Sequence, residues 1–212
     1  MNKVLTIFAM AFLLTVCSHA ADNPAADLPR ILIIGDSISI GYTPTVKKLL
    51  DGKATIVHNQ GNAADTKTGV AKIDAWLDDG KWDIIHFNFG LHDIKIGKDN
   101  EHQVPIDQYE KNLRSLVARL KKTNAKLIWA STTPVPEGPL NPPRKVEDVP
   151  AYNAVAKKIM DENAIPIDDL YALVLPQESQ IQLPKNVHYN DYGPLAKQVA
   201  QALMQAAAQD KK

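Results

Sequence analysis

The chain has 212 residues, and 24 Lys plus Arg balance 24 Asp plus Glu, so its formal charge is zero. That balance, with both signs mixed along the chain, offers no basic face for nucleic acid and no acidic tail. The length suits one domain with a sizeable core, and a single cysteine, Cys17, excludes a disulfide framework.

The first twenty residues read as an export signal rather than as fold. Lys3 supplies a positive start. Val4 to Val16 is an apolar run too short to span a bilayer comfortably, and Ser18 to Ala20 is a small-residue cleavage triplet. Cleavage after Ala20 predicts a secreted or periplasmic protein with no stable membrane insertion and no thiol. Lipoprotein anchoring at Cys17 ranks second, because Val16 is bulky where such a motif wants a small residue. The expected organisation is a signal peptide over 1–20, a mobile leader over 21–29 and one domain over 30–209.

Strands and helices then alternate. Ile31 to Gly35 is continuously apolar, as a strand buried on both faces is. Thr43 to Gly52 reads as a helix with a Thr N-cap, Pro44 at its first position and a closing Gly. Ala54 to Asn59 is a second strand. From Thr66 to Asp79, Val70, Ile73, Trp76 and Leu77 form one apolar helical face. Trp82 to Gly90 is a third strand, followed by a helical stripe of Ile106, Tyr109, Leu113, Leu116, Val117 and Leu120. Lys126 to Ser131 is a fourth strand. The Pro-rich loop Thr132 to Val149 is long enough to be functional. Tyr152, Val155, Ala156 and Ile159 mark a helix, and Ile165 to Tyr171 a short fifth strand and turn. After a second irregular stretch, Leu195, Val199 and Leu203 mark the last helix.

This alternation predicts an α/β fold, a parallel five-stranded sheet with helices on both faces. Such sheets carry their sites at the C-terminal strand ends. That selects the loops beginning near Ser37, Asn59, Gly90 and Thr132, with the "NVHYN" loop, Asn186 to Asn190, able to close over the same edge. Ser37 follows the first strand directly. A serine hydroxyl becomes a nucleophile only with a base in reach and donors aimed at the developing oxyanion. His188 is the candidate base. Gly61 can bring a backbone N–H close, and His92 can supply a side-chain donor. Taken singly, each has a plainer reading: a turn or cap serine, a solvated histidine, a turn glycine. Their coincidence on separate loops at one sheet edge favours chemistry.

"GDSIS" at the end of the first strand, Gly61 after the second, "GLHD" after the third and the late "VH" together resemble the four blocks of the SGNH (GDSL-type) serine hydrolases. The resemblance spans nearly the whole chain after the signal, in order. It implies a flavodoxin-like three-layer α/β/α sandwich and ester hydrolysis, on lipid, acyl-sugar or acetyl-polysaccharide substrates. It also implies Ser37 as nucleophile, His188 as base, and the N–H groups of Ser37 and Gly61 as oxyanion donors. Two positions depart from the family pattern. The family's third block is Gly-x-Asn-Asp, whose Asn is an oxyanion donor, and His92 stands in that place; an imidazole can still donate one hydrogen bond. The family's triad acid lies three residues before the histidine, where this chain has Lys185. Asn186, Asp191 or a main-chain carbonyl within Leu183 to Asn186 remains to orient His188. The carbonyl is the favoured expectation, with Asp191 fitting better as the N-cap of the last helix.

Asp36 and Asp93 are expected to fix turns. Arg144 and Asn88 are candidate substrate-binding residues, Asn88 alternating with His86 along the third strand. No glycine-rich phosphate motif and no metal-ligand spacing is present, so neither a cofactor nor a metal is expected. The reading is a secreted serine esterase acting on a small acyl ester, with acetyl on carbohydrate the favoured case. The alternatives are a non-catalytic carbohydrate-binding domain on a decayed esterase fold, and an O-acyltransferase.

Overall fold

The computed structural model describes residues 28–78 and 80–208. The expected export signal, and the expected leader up to residue 27, lie outside the described residues. Five strands form one parallel sheet: β1 (Arg30–Ile34), β2 (Thr55–His58), β3 (Ile84–Phe87), β4 (Lys126–Ala130) and β5 (Ile167–Asp168). Their order is β2-β1-β3-β4-β5. The chain leaves β1 for one side of the sheet and later leaves β3 for the other, so the crevice beyond β1 and β3 is the natural site of such a sheet. Ile33 pairs with both His58 and His86, which brings the ends of β2, β1 and β3 level. Apart from Arg30, every residue of β1 and β3 is buried. Continuous apolar strands of this kind need helices on both faces.

Those helices are α1 (Ser37–Leu49), α2 (Thr66–Leu77), α3 (Ile106–Lys121), α4 (Asp148–Glu162), α5 (Leu170–Val174), α6 (Glu178–Ile181) and α7 (Gly193–Ala208). α1 packs on α7, while α2, α3 and α4 pack in sequence, giving the expected three layers. Gly41 makes the α1–α7 contact close: a Cβ there would lie 2.2 Å from the Tyr192 ring. Among the described residues no helix is long and apolar enough to cross a membrane.

The structure corrects the sequence reading in three places. The first helix begins at Ser37, not at Thr43, and Pro44 lies inside it. Asp36 is the N-cap, its side chain accepting from the Ile38 N–H at 2.9 Å. The helix tolerates Pro44 because the carbonyl it deprives belongs to Ile40, which is exposed to solvent. Secondly, Val70 is exposed, and α2 buries Gly69, Ile73, Trp76 and Leu77 instead. Gly69 fits there because Phe89 and Leu116 press on it, a packing demand that hydropathy does not register. Thirdly, the stretch after β5 is not irregular: α5, a 3-10 turn over Leu175–Gln177 and α6 fill it. These pieces are too short to carry a helical period.

Candidate active site

Hydrogen bonds between the strand-end loops build the site floor. Gly35 N–H donates to Asn59 Oδ1 at 2.9 Å, and Ala63 N–H donates to the Gly35 carbonyl at 3.0 Å. This ties the loop after β2 to the turn after β1. Gly90 carries a φ of +146°, and a Cβ there would meet Thr132 Oγ1 at 2.3 Å, so the "GLHD" turn needs glycine at its first position. Asp93, fully buried, closes that turn against the start of α2. Its Oδ1 accepts from Thr66 N–H at 2.9 Å and from Thr66 Oγ1 at 2.5 Å.

Burial pushes the Asp93 carboxyl up to about 7 against the hydrogen bonds from Thr66. Asp93→Ala is therefore expected to lower stability by about 2–3 kcal/mol, because it orphans the Thr66 N–H. Since the folded carboxyl holds its proton to higher pH than the unfolded one, the folded state binds more protons between about pH 4 and 7. The wild-type advantage over Asp93→Ala should accordingly shrink as pH rises through that window, as read by urea midpoints.

Ser37 is the first residue of α1, so the positive end of a thirteen-residue helix faces the space around it, with the Ile38 N–H already taken by the Asp36 cap. Its hydroxyl lies 2.8 Å from His188 Nε2. His188 reaches it from the far end of the chain, 151 residues later, on the loop before α7. Asn186 sets the state of that ring. Asn186 Oδ1 accepts the His188 backbone N–H at 3.0 Å, which identifies it as the oxygen, and the same atom lies 2.8 Å from His188 Nδ1. Nδ1 must then carry the proton, and Nε2 presents its lone pair to Ser37. The orienting group is thus the Asn186 amide and not the main-chain carbonyl favoured from sequence. Lys185 adopts a φ of +54°, and this left-handed step sets Asn186 beside the ring. Asp191 is occupied elsewhere, accepting from Gly193 N–H at 2.7 Å at the start of α7.

His92 has the opposite tautomer. Lys95 Nζ lies 2.7 Å from His92 Nδ1. An ammonium can only donate, so Nδ1 accepts and the proton sits on Nε2. Nε2 points toward the buried Asp36 carboxylate but stops at 3.9 Å, beyond hydrogen-bond reach, so its N–H remains available. Desolvation, then the nearby Lys95 and Arg144 charges, lower the His92 pKa to about 4. The ring is neutral at physiological pH. One imidazole can therefore take a proton from Ser37 while the other offers an N–H.

Ser37, His92 and His188 line one cleft of about 540 Å³, together with Asn62, Lys95, Arg144, Lys185 and the Pro139–Pro142 stretch of the Pro-rich loop. Arg144 is gathered into the site as sequence suggested. Asn88 is not: its amide donates to the Ala130 carbonyl at 2.8 Å and to Thr132 Oγ1 at 3.3 Å, bracing β3 against β4. Gly61, exposed and at a φ of +73°, is not among the lining residues. Asn62 is, with its Oδ1 held by the Ala64 N–H at 2.8 Å so that its Nδ2 is free to donate. The residue that lines the cleft there is thus the neighbour of the one the sequence pointed to. The sequence reading chose glycine because backbone approach usually needs one.

A second serine–histidine pair tests whether the contact alone defines a site. Ser39 Oγ lies 2.7 Å from His58 Nε2, and His58 Nδ1 lies 2.8 Å from the Asn59 carbonyl. Ser39 is buried, and its hydroxyl also lies 2.7 Å from the Asp36 carbonyl. The gap beside it holds only about 10 Å³, too little for a substrate. A further cleft of about 400 Å³ between β4 and the loop before β5 sits at the N-terminal ends of the strands. Among the described residues its lining pairs no nucleophile with a base.

A serine after β1 in contact with a histidine before the last helix, on a parallel sheet of this order, is the arrangement that suits a serine hydrolase of the three-layer α/β class. Residues 33–194 match the family model of the GDSL-like lipase/acylhydrolase family. The chain belongs to that family and is a carboxylic ester hydrolase. A comparison with curated proteins finds no match. Among solved structures, it is similar to the acetyl xylan esterase AlAXEase, with 18% identity and a TM-score of 0.70, covering 82% of this chain and 99% of that one. A lipase/acylhydrolase from Enterococcus faecalis matches at 17% identity and a TM-score of 0.71, covering 83% and 95%. A catalytic mutant of an acetylxylan esterase from Geobacillus stearothermophilus matches at 19% identity and a TM-score of 0.65, covering 84% and 93%. At these identities the likeness is one of fold.

Proposed function

We propose that the protein is a secreted esterase that removes a small acyl group, acetyl in the first instance, from a carbohydrate. The observation that carries the proposal is the 2.8 Å contact of Ser37 Oγ with a His188 Nε2 whose lone pair is fixed toward it by Asn186. Ser37 Oγ attacks the ester carbonyl as its proton passes to His188 Nε2. The tetrahedral oxyanion meets the Ser37 N–H at the α1 N-terminus, the His92 Nε2–H and the Asn62 amide, in place of the Gly61 N–H expected from sequence. His188 returns the proton to the leaving sugar oxygen, and water, activated by the same ring, clears the acyl-enzyme.

The apolar part of the lining is limited to Pro139, Leu140, Pro142 and Val187, which suits a short acyl chain. Acetyl xylan esterases among the similar structures point the same way. Secretion rests on the export signal read from Lys3 to Ala20. The test is labelling by a fluorophosphonate probe, mapped by mass spectrometry. Modification at Ser37 is expected, and folded protein that takes no label favours the carbohydrate-binding alternative.

Asn186 differs from the usual acid in being neutral, which gives a second expectation. Asn186→Ala should slow turnover about five- to tenfold, the worth of one neutral hydrogen bond. Asn186→Asp should speed it by a similar factor, because a carboxylate also stabilises the imidazolium formed during attack. Steady-state kcat on a small acetyl ester reads both.

A further inference from the structure

The cleft that holds Ser37 is lined by three cations, Lys95, Arg144 and Lys185, and by no aspartate or glutamate. Since the chain as a whole carries equal numbers of both signs, this is a local concentration of charge. Among the described residues, no carboxylate lies within ion-pair distance of any of the three. Asp36, buried as the cap of α1, acts on Arg144 and Lys95 only through its charge, and Glu137 and Glu178 line a neighbouring cleft that Lys185 also borders.

Arg144 carries the argument furthest. Its Nε donates to the Leu91 carbonyl at 2.8 Å and its Nη1 to the Pro142 carbonyl at 3.1 Å. These two bonds fix the plane of the guanidinium and leave the remaining Nη1 and Nη2 donors without a partner among the described residues. The group is half-buried, and that desolvation opposes its charge. A cation held rigid, partly dehydrated and unpaired beside a nucleophile is a preformed fork for an oxyanion ligand. Lys185, exposed and without a partner among the described residues, borders the same space and adds a second, mobile charge.

We infer that the natural substrate is an anionic ester, bearing a carboxylate on its alcohol portion, as in an O-acetylated uronic acid. This rests on the esterase reading above. The alcohol side is favoured because the apolar patch fits only a short acyl group, whereas the cleft has room for one or more sugar units beyond it. The carboxylate pairs with Arg144 in bidentate fashion and with Lys185, while the ester carbonyl sits over Ser37.

Binding to Ser37→Ala protein separates this inference from catalysis. Titration calorimetry would compare methyl 2-O-acetyl-galacturonoside with methyl 2-O-acetyl-galactoside, which differ only in the carboxylate. The acidic sugar is expected to bind about tenfold tighter or more at low salt. The preference should fall as salt rises. It should also fall several-fold in Arg144→Gln and in Lys185→Asn, the latter chosen because asparagine tolerates the left-handed backbone there. Equal affinity for the two sugars, or a preference that survives both substitutions, overturns the inference. Tighter binding of 4-nitrophenyl hydrogen succinate than of the uronoside overturns the placement on the alcohol side. Wild-type turnover of both sugars at equal kcat/KM leaves the esterase reading intact and removes the anion site. Preferential binding of the uronoside without turnover of either sugar does the reverse.

Discussion

Alanine at Ser37 is expected to cut kcat/KM on a small acetyl ester by roughly 10⁴- to 10⁶-fold, and alanine at His188 by a similar factor. The double variant should be little worse than either single one. In the proposed mechanism the two side chains act as one unit, so removing either removes the step. Stability should hardly change, because among the described residues the Ser37 hydroxyl has no partner except His188, and the His188 ring is partly exposed. Ser39→Ala supplies the contrast. It breaks the buried Ser39–His58 contact and the bond to the Asp36 carbonyl, so it should cost about 1–2 kcal/mol of stability. Its activity should stay within an order of magnitude of wild type. Steady-state kinetics beside urea unfolding distinguishes the two serines. If Ser39→Ala were the inactive variant and Ser37→Ala the active one, the proposed nucleophile would be wrong.

The parts of this fold that the sequence announces are those set by periodicity and by strand burial. β1 reads as a continuous apolar run because both its faces are covered, and that placed Ser37 just after a strand end in advance. What escaped were features decided by contacts between distant segments. Pro44 marks a helix start in most sequences, but here Asp36 had already capped the helix seven residues after Pro29, and an exposed Ile40 absorbed the lost bond. Asn186 was visible as an acceptor next to His188, yet the choice between its amide and a carbonyl depended on the left-handed Lys185. Lys95 gave one faint signal, its place three residues after His92, the spacing at which side chains meet in a helical turn. Its consequence for the ring appears only when the 2.7 Å contact is seen.

That contact leads to the second large effect. His92→Ala should lower kcat by roughly a hundredfold to a thousandfold, the usual cost of one oxyanion donor. His92→Asn, the residue more usual at this place in the resembling family, should recover part of the loss. Because burial and the Lys95 charge hold the His92 pKa at about 4, the ring stays neutral above about pH 5. Wild type and His92→Asn should then give pH profiles of the same shape over pH 5–9, differing in height. Lys95→Glu reverses the logic without touching the ring. The introduced carboxylate accepts from Nδ1–H, so a neutral His92 would turn a lone pair toward the oxyanion instead of an N–H. The same carboxylate raises the ring's pKa, and the protonated ring still donates from Nε2. The activity of Lys95→Glu relative to wild type should therefore be highest at low pH and fall as the ring loses its proton. At high pH it should approach the level of His92→Ala. Lys95→Met, which removes the donor without adding an acceptor, should show no such fall. A Lys95→Glu profile parallel to wild type would mean that Lys95 does not govern the His92 proton and contributes only charge to the cleft.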